Sequence, residues 1–396
     1  MRRIKRCWMI DPNFFSFELQ TKLLFGTDSL KSLKNELKSF GNTLLIVAQK
    51  KMEEMGYLKR VADQLIEDDF HLFFWSTIHD NPIVSDVDDA VKSLNSKKFD
   101  AIVALGGGST MDVAKALSVT ACTGGSAWDY VYSTAKRTVE HTIPVIAIPT
   151  TSGTGSHMTK YSVLTNPQEG IKSTIVSEEI FPKVAIVDPT LTVSLPQYMT
   201  AVTGFDALSH AVESYVCINA NRMTDMICEK AIQTIAKALP QVINNLNDLI
   251  LREDMAWADT LAGLGIAYSG TTLPHAMGQP ISGRYPKIRH GETLAAIYPS
   301  IVRFSYPGKV EKFDRIIRWI AEGIKMEIEN IDADLASKVF SEFQKRIGLS
   351  IHLSDFGLEE KDINGLINPT LKCGDVYTNP VVATEQDIIE LFKFSL

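Results

Sequence analysis

The first half of the chain alternates short apolar runs with amphipathic stretches. The apolar runs predict buried strands at 43–49, at 71–77, from 100 into glycines that end at 109, from 142 into a small-residue loop that ends at 156, and at 183–189. Apolar positions at helical spacing predict helices at 55–69, 85–94 and 111–121. Because strands and helices alternate, we expect a parallel sheet that is covered by helices on both faces.

From about residue 196 the pattern changes to one helix after another. Successive helices are predicted at 199–217, 223–246, 253–267, 290–305, 308–325 and 332–347, with a last one after Thr384. We therefore expect an α/β domain over 1–196 and an all-helical domain over 197–396. Since no long linker separates them, the two domains are expected to meet closely and to form a cleft.

Composition places the chain among ordinary globular proteins. Hydrophobic residues make up 45% of its 396 residues, and no window approaches the roughly 18–20 apolar residues of a membrane span. The start, MRRIKRCWMIDPNFF, is basic and then apolar, but Asp11, Pro12 and Asn13 leave the apolar stretch too short for a signal peptide. We expect a cytoplasmic location.

Charge and cysteine usage argue against several function classes. A net charge of −7 disfavours nucleic acid as a partner, because phosphate binding needs clustered lysines and arginines. The five cysteines are odd in number and widely spaced, and no CxxC motif occurs, which disfavours a disulfide framework and a thiolate zinc site. The expected partner is therefore a small molecule, rather than nucleic acid or a membrane.

Two loops that follow apolar strands give the first chemical signal. Gly106, Gly107, Gly108 and Ser109 lie between a strand and a helix, where free backbone N–H groups attract phosphate. The loop lacks the GxGxxG fingerprint and in isolation can be a tight turn, but the carboxyl end of a parallel strand favours ligand binding. The second loop, 149–156, offers hydroxyls and glycines that can hold a pyrophosphate or a nicotinamide ribose, or can form a polar turn.

Three histidines and an aspartate give the second signal. Asp206 and His210 are four residues apart in a predicted helix, so both project from one face. By spacing alone they are more simply a hydrogen-bonded pair on the helix surface. His275 and His290 lie in a segment with helix-breaking and glycine residues, from which each can point into a cleft. His157 adjoins the second loop, where a contact with cofactor and a surface position are equally open.

One carboxylate and three imidazoles make a ligand set of oxygen and nitrogen. Such a set suits Zn²⁺ or Fe²⁺ and leaves room for a substrate oxygen. A divalent ion polarises a carbonyl or lowers the pKa of an alcohol, and the hydride that then moves requires a nicotinamide. The residues therefore predict a metal-dependent, nicotinamide-linked alcohol dehydrogenase or aldehyde reductase.

Four motifs in order resemble those of the iron-containing, or group III, alcohol dehydrogenases over roughly residues 14–305. They are ALGGGSTMDVAK (104–115), IPTTSGTGS (148–156), TGFDALSHAVESY (203–215) and HAMGQPISGRYPKIRHGE (275–292). The resemblance implies a dinucleotide-binding α/β domain with a parallel sheet, followed by an all-α metal-binding domain. Dehydroquinate synthase shares this two-domain architecture. The resemblance also implies a homodimer or a larger assembly.

The resemblance implies the site residues position by position. It implies that Asp206, His210, His275 and His290 ligate the metal, which is usually Fe²⁺ and in some members Zn²⁺. It implies that NAD or NADP is contacted by residues on the two loops and the helix between them. These residues are Gly107, Gly108, Ser109, Asp112, Thr150, Thr151 and Thr154. Lys172 matches a family lysine near the nicotinamide.

One departure from the family pattern concerns the proton. The family's HxxxH motif runs here from His275 to Gln279, and the missing second histidine is thought to help move a proton. Glutamine does not titrate near neutral pH, so either the proton leaves through water or the substrate differs. Gln279 can equally do no more than shape the substrate pocket.

A second departure concerns the cofactor. Strand 43–49 ends at Gln49, where many NAD-preferring relatives place an aspartate that binds the ribose 2′-hydroxyl. With Gln49 there and Lys50 and Lys51 beside it, we hypothesise that the protein accepts NADP as well as NAD. The two lysines can equally be the solvated start of a helix.

A third departure concerns the substrate. Arg284, Lys287 and Arg289 precede the last predicted metal ligand, in a stretch that is less basic in many relatives. One hypothesis is that a cation here binds an anionic group on an acid-aldehyde, of the hydroxy-acid or phosphonate type. The simpler alternative, which we favour, is that these cations are solvated or pair with acids of a neighbouring helix.

Two further interpretations keep the fold but change the function. A glycerol dehydrogenase or dehydroquinate synthase-like activity is one, although the DALSH and HAMGQ…RHG segments favour the alcohol dehydrogenase branch. A non-catalytic, nucleotide-binding scaffold is the other. The presence of all four predicted metal ligands argues against the scaffold.

Overall fold

A parallel sheet forms the centre of the first half of the protein, in a computed structural model that describes residues 14–66, 69–94 and 97–396. The strands are β1 (Lys22–Phe25), β2 (Thr43–Ala48), β3 (His71–Trp75), β4 (Ala101–Gly106), β5 (Val145–Pro149), β6 (Tyr161–Asn166), β7 (Ile171–Val176) and β8 (Val184–Val187). Six of them form the sheet in the order β1-β8-β5-β4-β2-β3, with every neighbouring pair parallel. β6 and β7 form a separate antiparallel hairpin.

Helices cover the sheet and form the whole second half. Those of the first half are α1 (Leu33–Leu37), α2 (Lys50–Glu54), α3 (Tyr57–Ala62), α4 (Val84–Leu94) and α5 (Gly108–Thr123). Those of the second half are α6 (Gln197–Val216), α7 (Arg222–Val242), α8 (Leu249–Ser269), α9 (Leu273–Arg284), α10 (His290–Ser305), α11 (Val310–Gly323), α12 (Ala333–Arg346), α13 (Glu360–Lys372) and α14 (Glu385–Phe394). The expected fold class is thus confirmed. The division into domains at residue 196 stays a prediction, and α6 begins directly after it.

The sheet is buried on both faces, and β2 shows how the sequence fits this position. Leu44 and Ile46 pack into the apolar core on one face, while Leu45 and Val47 pack into the core on the other. Because side chains alternate along a strand, a continuous apolar run suits a strand that is covered on both sides. The helical half has an apolar core of its own, built largely from α6, α7, α8, α10, α11 and α12.

Some elements of the first half differ from the prediction. The helix predicted over 55–69 forms as α3 over Tyr57–Ala62, and the unpredicted α2 ends just before Gly56, a residue in the left-handed conformation with φ of 75°. The strand β1 is only four residues long, and it and the hairpin β6–β7 have no counterpart in the prediction. The interpretation of the first 13 residues, including Cys7, lies outside the described residues.

No helix was predicted between residues 267 and 290, but the segment around His275 is helical. It forms α9 despite Gly278 and Pro280, because its apolar side chains pack in a shared core with α10 and α13. α13, which contains Pro369, is missing from the prediction for the same reason. Tertiary packing outweighs the low helix propensity of glycine and proline at both places.

The order of strands reverses between β2 and β4. These two strands are neighbours, although β3 lies between them in the chain and pairs on the far side of β2. Open α/β sheets bind ligands at the carboxyl ends of the strands at such a reversal. Gln49 follows β2 and Gly107 follows β4, so both lie at this point.

The loop after β5 contacts the helical half through backbone atoms. Gly155 has a φ of 58°, and a Cβ on it would lie 2.4 Å from the Cα of Gly263 on α8. Its N–H donates a hydrogen bond to Oδ1 of Asp259 at 2.8 Å. The loop is therefore fixed against α8 at a point where neither glycine can carry a side chain without displacement.

The structure bears on two expectations about membrane spans and cysteines. No helix in the described ranges is both long and apolar enough to cross a membrane. The cysteines among the described residues, Cys122, Cys217, Cys228 and Cys373, are free thiols, as their spacing predicts.

We predict that Gly155→Ala destabilises the protein by about 3 kcal/mol, because it adds a steric clash to the cost of a left-handed alanine. Gly170 is the matched control, since its φ is 64° and an added Cβ meets nothing within 4 Å. Gly170→Ala should cost only about 1 kcal/mol. Thermal unfolding of both variants measures the difference, and equal losses would show that the contact with α8 is unimportant.

Candidate active site

A cavity of about 570 Å³ lies between the carboxyl ends of the strands and the helical half. Every residue that the family resemblance assigned to the metal or the cofactor lines it, together with Gln49 and Gln279. These residues are Gln49, Gly107, Gly108, Ser109, Asp112, Thr150, Thr151, Thr154, Lys172, Asp206, His210, His275, Gln279 and His290. Their chemical roles stay predictions, but the structure brings the whole set to one place.

The backbone of the glycine loop borders this cavity. α5 begins at Gly108 with Gly107 as its N-cap residue, and no side chain caps the helix start. A Cβ on Gly108 would lie 2.5 Å from Cγ2 of Thr154, so the two loops touch where residue 108 has no side chain. Uncapped N–H groups at a helix start bind anions, and this one suits a pyrophosphate.

Lys115, a residue that the sequence analysis missed, fastens the second loop to α5. Its buried Nζ donates hydrogen bonds to the carbonyl oxygens of Ser156 at 2.6 Å, Thr159 at 2.9 Å and Tyr161 at 2.9 Å. Burial lowers its pKa to about 7, and burial raises that of the neighbouring Asp112 to about 6. The signal in the sequence was a lysine within the buried face of a helix that begins at a glycine loop.

The four predicted metal ligands converge from three helices. Asp206 and His210 lie on α6, His275 on α9, and His290 is the first residue of α10. The Nε2 atoms of His210 and His275 are 2.9 Å apart, and Oδ1 of Asp206 lies 3.9 Å and 4.0 Å from them. The candidate ligand atoms of Asp206, His275 and His290 all lie within 4.8 Å of one another.

Hydrogen bonds on the far sides of two imidazoles fix the positions of their protons. Nδ1 of His210 lies 3.1 Å from the carbonyl oxygen of Gly153, and Nδ1 of His275 lies 2.7 Å from Oε1 of Glu213. Since these oxygens can only accept, each Nδ1 carries the hydrogen and each neutral ring presents a lone pair on Nε2. Two lone pairs at 2.9 Å repel each other unless a proton or a cation lies beside them.

The carboxylate of Asp206 needs the same positive charge. Its Oδ1 is buried without a hydrogen-bond partner, and burial raises its pKa to about 7. Burial also holds the pKa values of His210 and His290 well below the ordinary range. For His275, burial favours the neutral ring, but the carboxylates of Glu213, Asp206 and Asp375 together outweigh it and raise the pKa. A divalent cation would satisfy all these groups at once, so the residues fit a metal.

Glu213 is a second residue that the sequence analysis missed. It is almost fully buried, and its Oε2 accepts the backbone N–H of Thr272 at 2.8 Å while its Oε1 accepts Nδ1–H of His275. This carboxylate orients the imidazole, as partners of metal-bound histidines generally do. The sequence held a signal, because Glu213 lies seven residues after Asp206 and therefore on the same face of α6.

Three further residues can now be placed. Gln279 lies one turn after His275 on α9, and Lys172 lies on β7, where burial lowers its pKa. His157 is buried, with Nε2 2.9 Å from Oγ1 of Thr260, so a surface position for it is wrong. Its ring fills the junction between the second loop and α8.

The three cations before His290 lie mostly outside the cavity. The guanidinium of Arg284 packs against Gly365 of α13. Arg289 does line the cavity, but its Nη1 pairs with Oε1 of Glu292 at 3.3 Å. The arrangement supports the favoured alternative, in which these side chains pair with acids or face solvent, over a role in binding an anionic substrate.

Comparison with protein families decides the assignment. A model of the iron-containing alcohol dehydrogenases matches residues 20–189, and a model of the C-terminal part of that family matches residues 200–396. The chain belongs to the iron-containing alcohol dehydrogenases. The resemblance found in the four sequence motifs is thus confirmed.

Individual relatives of this iron-containing alcohol dehydrogenase agree. The chain is 33% identical over 387 residues to an NAD-dependent methanol dehydrogenase of Bacillus methanolicus, covering 97% of this chain and all of that one. It is 32% identical to a 1,3-propanediol dehydrogenase of Klebsiella pneumoniae, covering 96% and 98%. The structure of an archaeal alcohol dehydrogenase from a Red Sea brine pool superposes with a TM-score of 0.90 at 32% identity, covering 97% and 99%.

The general function follows from these matches. The prediction of a nicotinamide-linked alcohol dehydrogenase, an oxidoreductase that acts on CH–OH donors, is confirmed, and its methanol dehydrogenase relative is NAD-dependent. The comparisons do not favour an enzyme specific for acid-aldehydes, a dehydroquinate synthase-like lyase or a non-catalytic scaffold.

We predict that Glu213→Gln weakens metal binding by about 10- to 100-fold, because the amide no longer holds Nδ1–H of His275 with a charged acceptor. Competition with a chelator of known affinity measures the metal dissociation constant. Glu253→Gln on the exposed side of α8 removes the same charge away from the site and should leave the constant unchanged. Equal affinities in all three proteins would contradict the orienting role.

Proposed function

We propose that Asp206, His210, His275 and His290 hold one divalent iron ion in this alcohol dehydrogenase. The observation that carries the proposal is the pair of Nε2 atoms at 2.9 Å, whose protons are fixed on the far sides of the rings. A ligand set of one carboxylate and three imidazoles suits Fe²⁺, and Zn²⁺ is the second candidate.

We further propose that a nicotinamide dinucleotide occupies the cavity between the halves. Its pyrophosphate would lie against the uncapped start of α5 at Gly107 and Ser109. The hydroxyls of Thr150, Thr151 and Thr154 line the same wall, as the predicted cofactor contacts require. The loop that carries them also contributes the carbonyl that orients one metal-site histidine, so cofactor and metal are expected to lie side by side.

Bound together, an iron ion would lower the pKa of a substrate alcohol and a nicotinamide would accept its hydride. The protein supplies the geometry and the surroundings for this exchange. Glu213 and the carbonyl of Gly153 fix the imidazoles, so that their lone pairs converge on one point. Lys172, a half-buried residue, lines the cavity, and desolvation of its amine lowers its pKa, so that Nζ gives up a proton more readily than that of an exposed lysine.

We propose a small alcohol or aldehyde as the substrate. Val163 and Ile266 contribute apolar side chains to the wall, and the hydroxyl of Tyr161 donates to the carbonyl oxygen of Ile266 at 3.1 Å. Gln279 lies on the wall near His275 without a group that titrates near neutral pH. We therefore propose that Gln279 shapes the pocket and that the alcohol proton leaves through water.

Other finer features stay predictions. They are the use of zinc in place of iron, acceptance of NADP, assembly into a homodimer or larger oligomer, and a cytoplasmic location. Each has support only from the family resemblance or from the sequence composition.

We predict that Asp206→Asn abolishes iron binding and activity while stabilising the metal-free protein at pH 8. The amide removes a buried charge that has no partner without metal, and it is a much poorer metal ligand. Metal content after loading with Fe²⁺, thermal midpoints with and without Fe²⁺, and reduction of NAD with a primary alcohol give three separate readouts. Iron should raise the midpoint of the wild type only.

Asp254→Asn is the matched control, because Asp254 lies on the exposed side of α8. It should bind iron and respond to it as the wild type does. An Asp206→Asn variant that retains iron in equal amount would contradict the proposed ligand set.

A further inference from the structure

The turn after β3 is held in place by one buried carboxylate. Oδ2 of Asp86, on α4, accepts hydrogen bonds from the backbone N–H groups of His79 and Ile83, each at 3.0 Å. Oδ1 of Asp86 lies 2.7 Å from Nδ1 of His79. Asp80 lies inside this turn, so its backbone position is fixed from within.

The same turn is tied to the glycine loop and to the helical half. The hydroxyl of Ser109 donates to the carbonyl oxygen of Asp80. Nδ2 of Asn81 donates to the carbonyl oxygen of Pro286 at 2.8 Å. Asp80 therefore has a fixed place directly beside the proposed pyrophosphate site.

The carboxylate of Asp80 meets the residue that ends the neighbouring strand β2. Nε2 of Gln49 donates to Oδ1 of Asp80 at 3.2 Å, and both side chains line the cavity. In dinucleotide-binding sheets an acid near this position binds a hydroxyl of the adenosine ribose. Here Gln49 occupies that position at the end of β2, and the acid is Asp80 from the turn after the neighbouring strand β3.

We propose that Asp80 is the residue that selects NAD against NADP, which rests on the nicotinamide dinucleotide occupying the cavity as proposed above. The carboxylate accepts a hydrogen bond from the ribose 2′-hydroxyl, and Oε1 of Gln49 offers a second acceptor. A 2′-phosphate removes the hydrogen-bond donor and brings negative charge against the carboxylate.

Two further side chains near this turn bear on the selection. The ring of His79 is already engaged by Asp86. Lys51 lines the cavity and is the residue there that would attract a 2′-phosphate. Selection therefore depends on the balance between Asp80 and Lys51, and Asp80 contacts Gln49 directly.

The cofactor preference inferred from the structure is opposite to the one inferred from the sequence alone. Glutamine at the end of β2, with lysines beside it, predicts acceptance of NADP. The aspartate contributed by the β3 turn restores the negative charge, so we expect the protein to prefer NAD.

The test is direct binding of NAD and of NADP to the iron-loaded protein, measured by isothermal titration calorimetry. Asp80→Asn keeps the size of the side chain and an acceptor for Gln49, but removes the charge. The ratio of the NADP to the NAD dissociation constant should fall by about tenfold or more, mainly through tighter NADP binding. The difference should shrink at high salt.

Asp89→Asn is the matched control, since Asp89 lies on the exposed side of α4 and pairs with Lys92. It changes the net charge equally and should leave the ratio unchanged. Lys51→Met should raise the ratio. An unchanged ratio in Asp80→Asn, with both nucleotides bound, overturns this inference alone. If neither nucleotide binds the wild type, the proposed function fails and the inference fails with it.

Discussion

Two imidazole nitrogens that face each other at 2.9 Å are the constraint on which the active site depends. The hydrogens of His210 and His275 are held on the opposite sides of their rings, by the carbonyl of Gly153 and the carboxylate of Glu213. Such an arrangement is repulsive without a positive charge, and the buried carboxylate of Asp206 beside it is equally incomplete. A divalent cation at this place would relieve both costs at once.

The loop after β5 connects this place to the cofactor. Its threonines line the cavity, while its Gly153 carbonyl orients a metal-site histidine. The loop is itself fixed by Lys115 from α5 and by the contact of Gly155 with Gly263 on α8. One short segment thus contacts the sheet, the glycine loop and the helical half. This explains why the predicted cofactor residues and the predicted metal ligands line one cavity.

Most of the fold and the residues of the site could be predicted from local sequence patterns. Apolar runs marked the long strands, and the residues that the family resemblance assigned to metal and cofactor all line the cavity. The misses came from long-range packing: α9 forms across Gly278 and Pro280 because its apolar face is buried, and His157 is buried by a helix a hundred residues away. Helix spacing marks the faces on which Glu213 and Lys115 lie, but their roles depend on contacts with side chains and carbonyls from other segments.

Crystals of the iron-loaded protein, measured on both sides of the iron absorption edge, test the central claim most directly. The account predicts one anomalous peak at bonding distance, about 2.0–2.2 Å, from Oδ1 of Asp206 and from one nitrogen of each of the three histidines. An active, iron-loaded protein with its anomalous peak elsewhere, or with the two imidazoles turned away from each other and no peak between them, would contradict it.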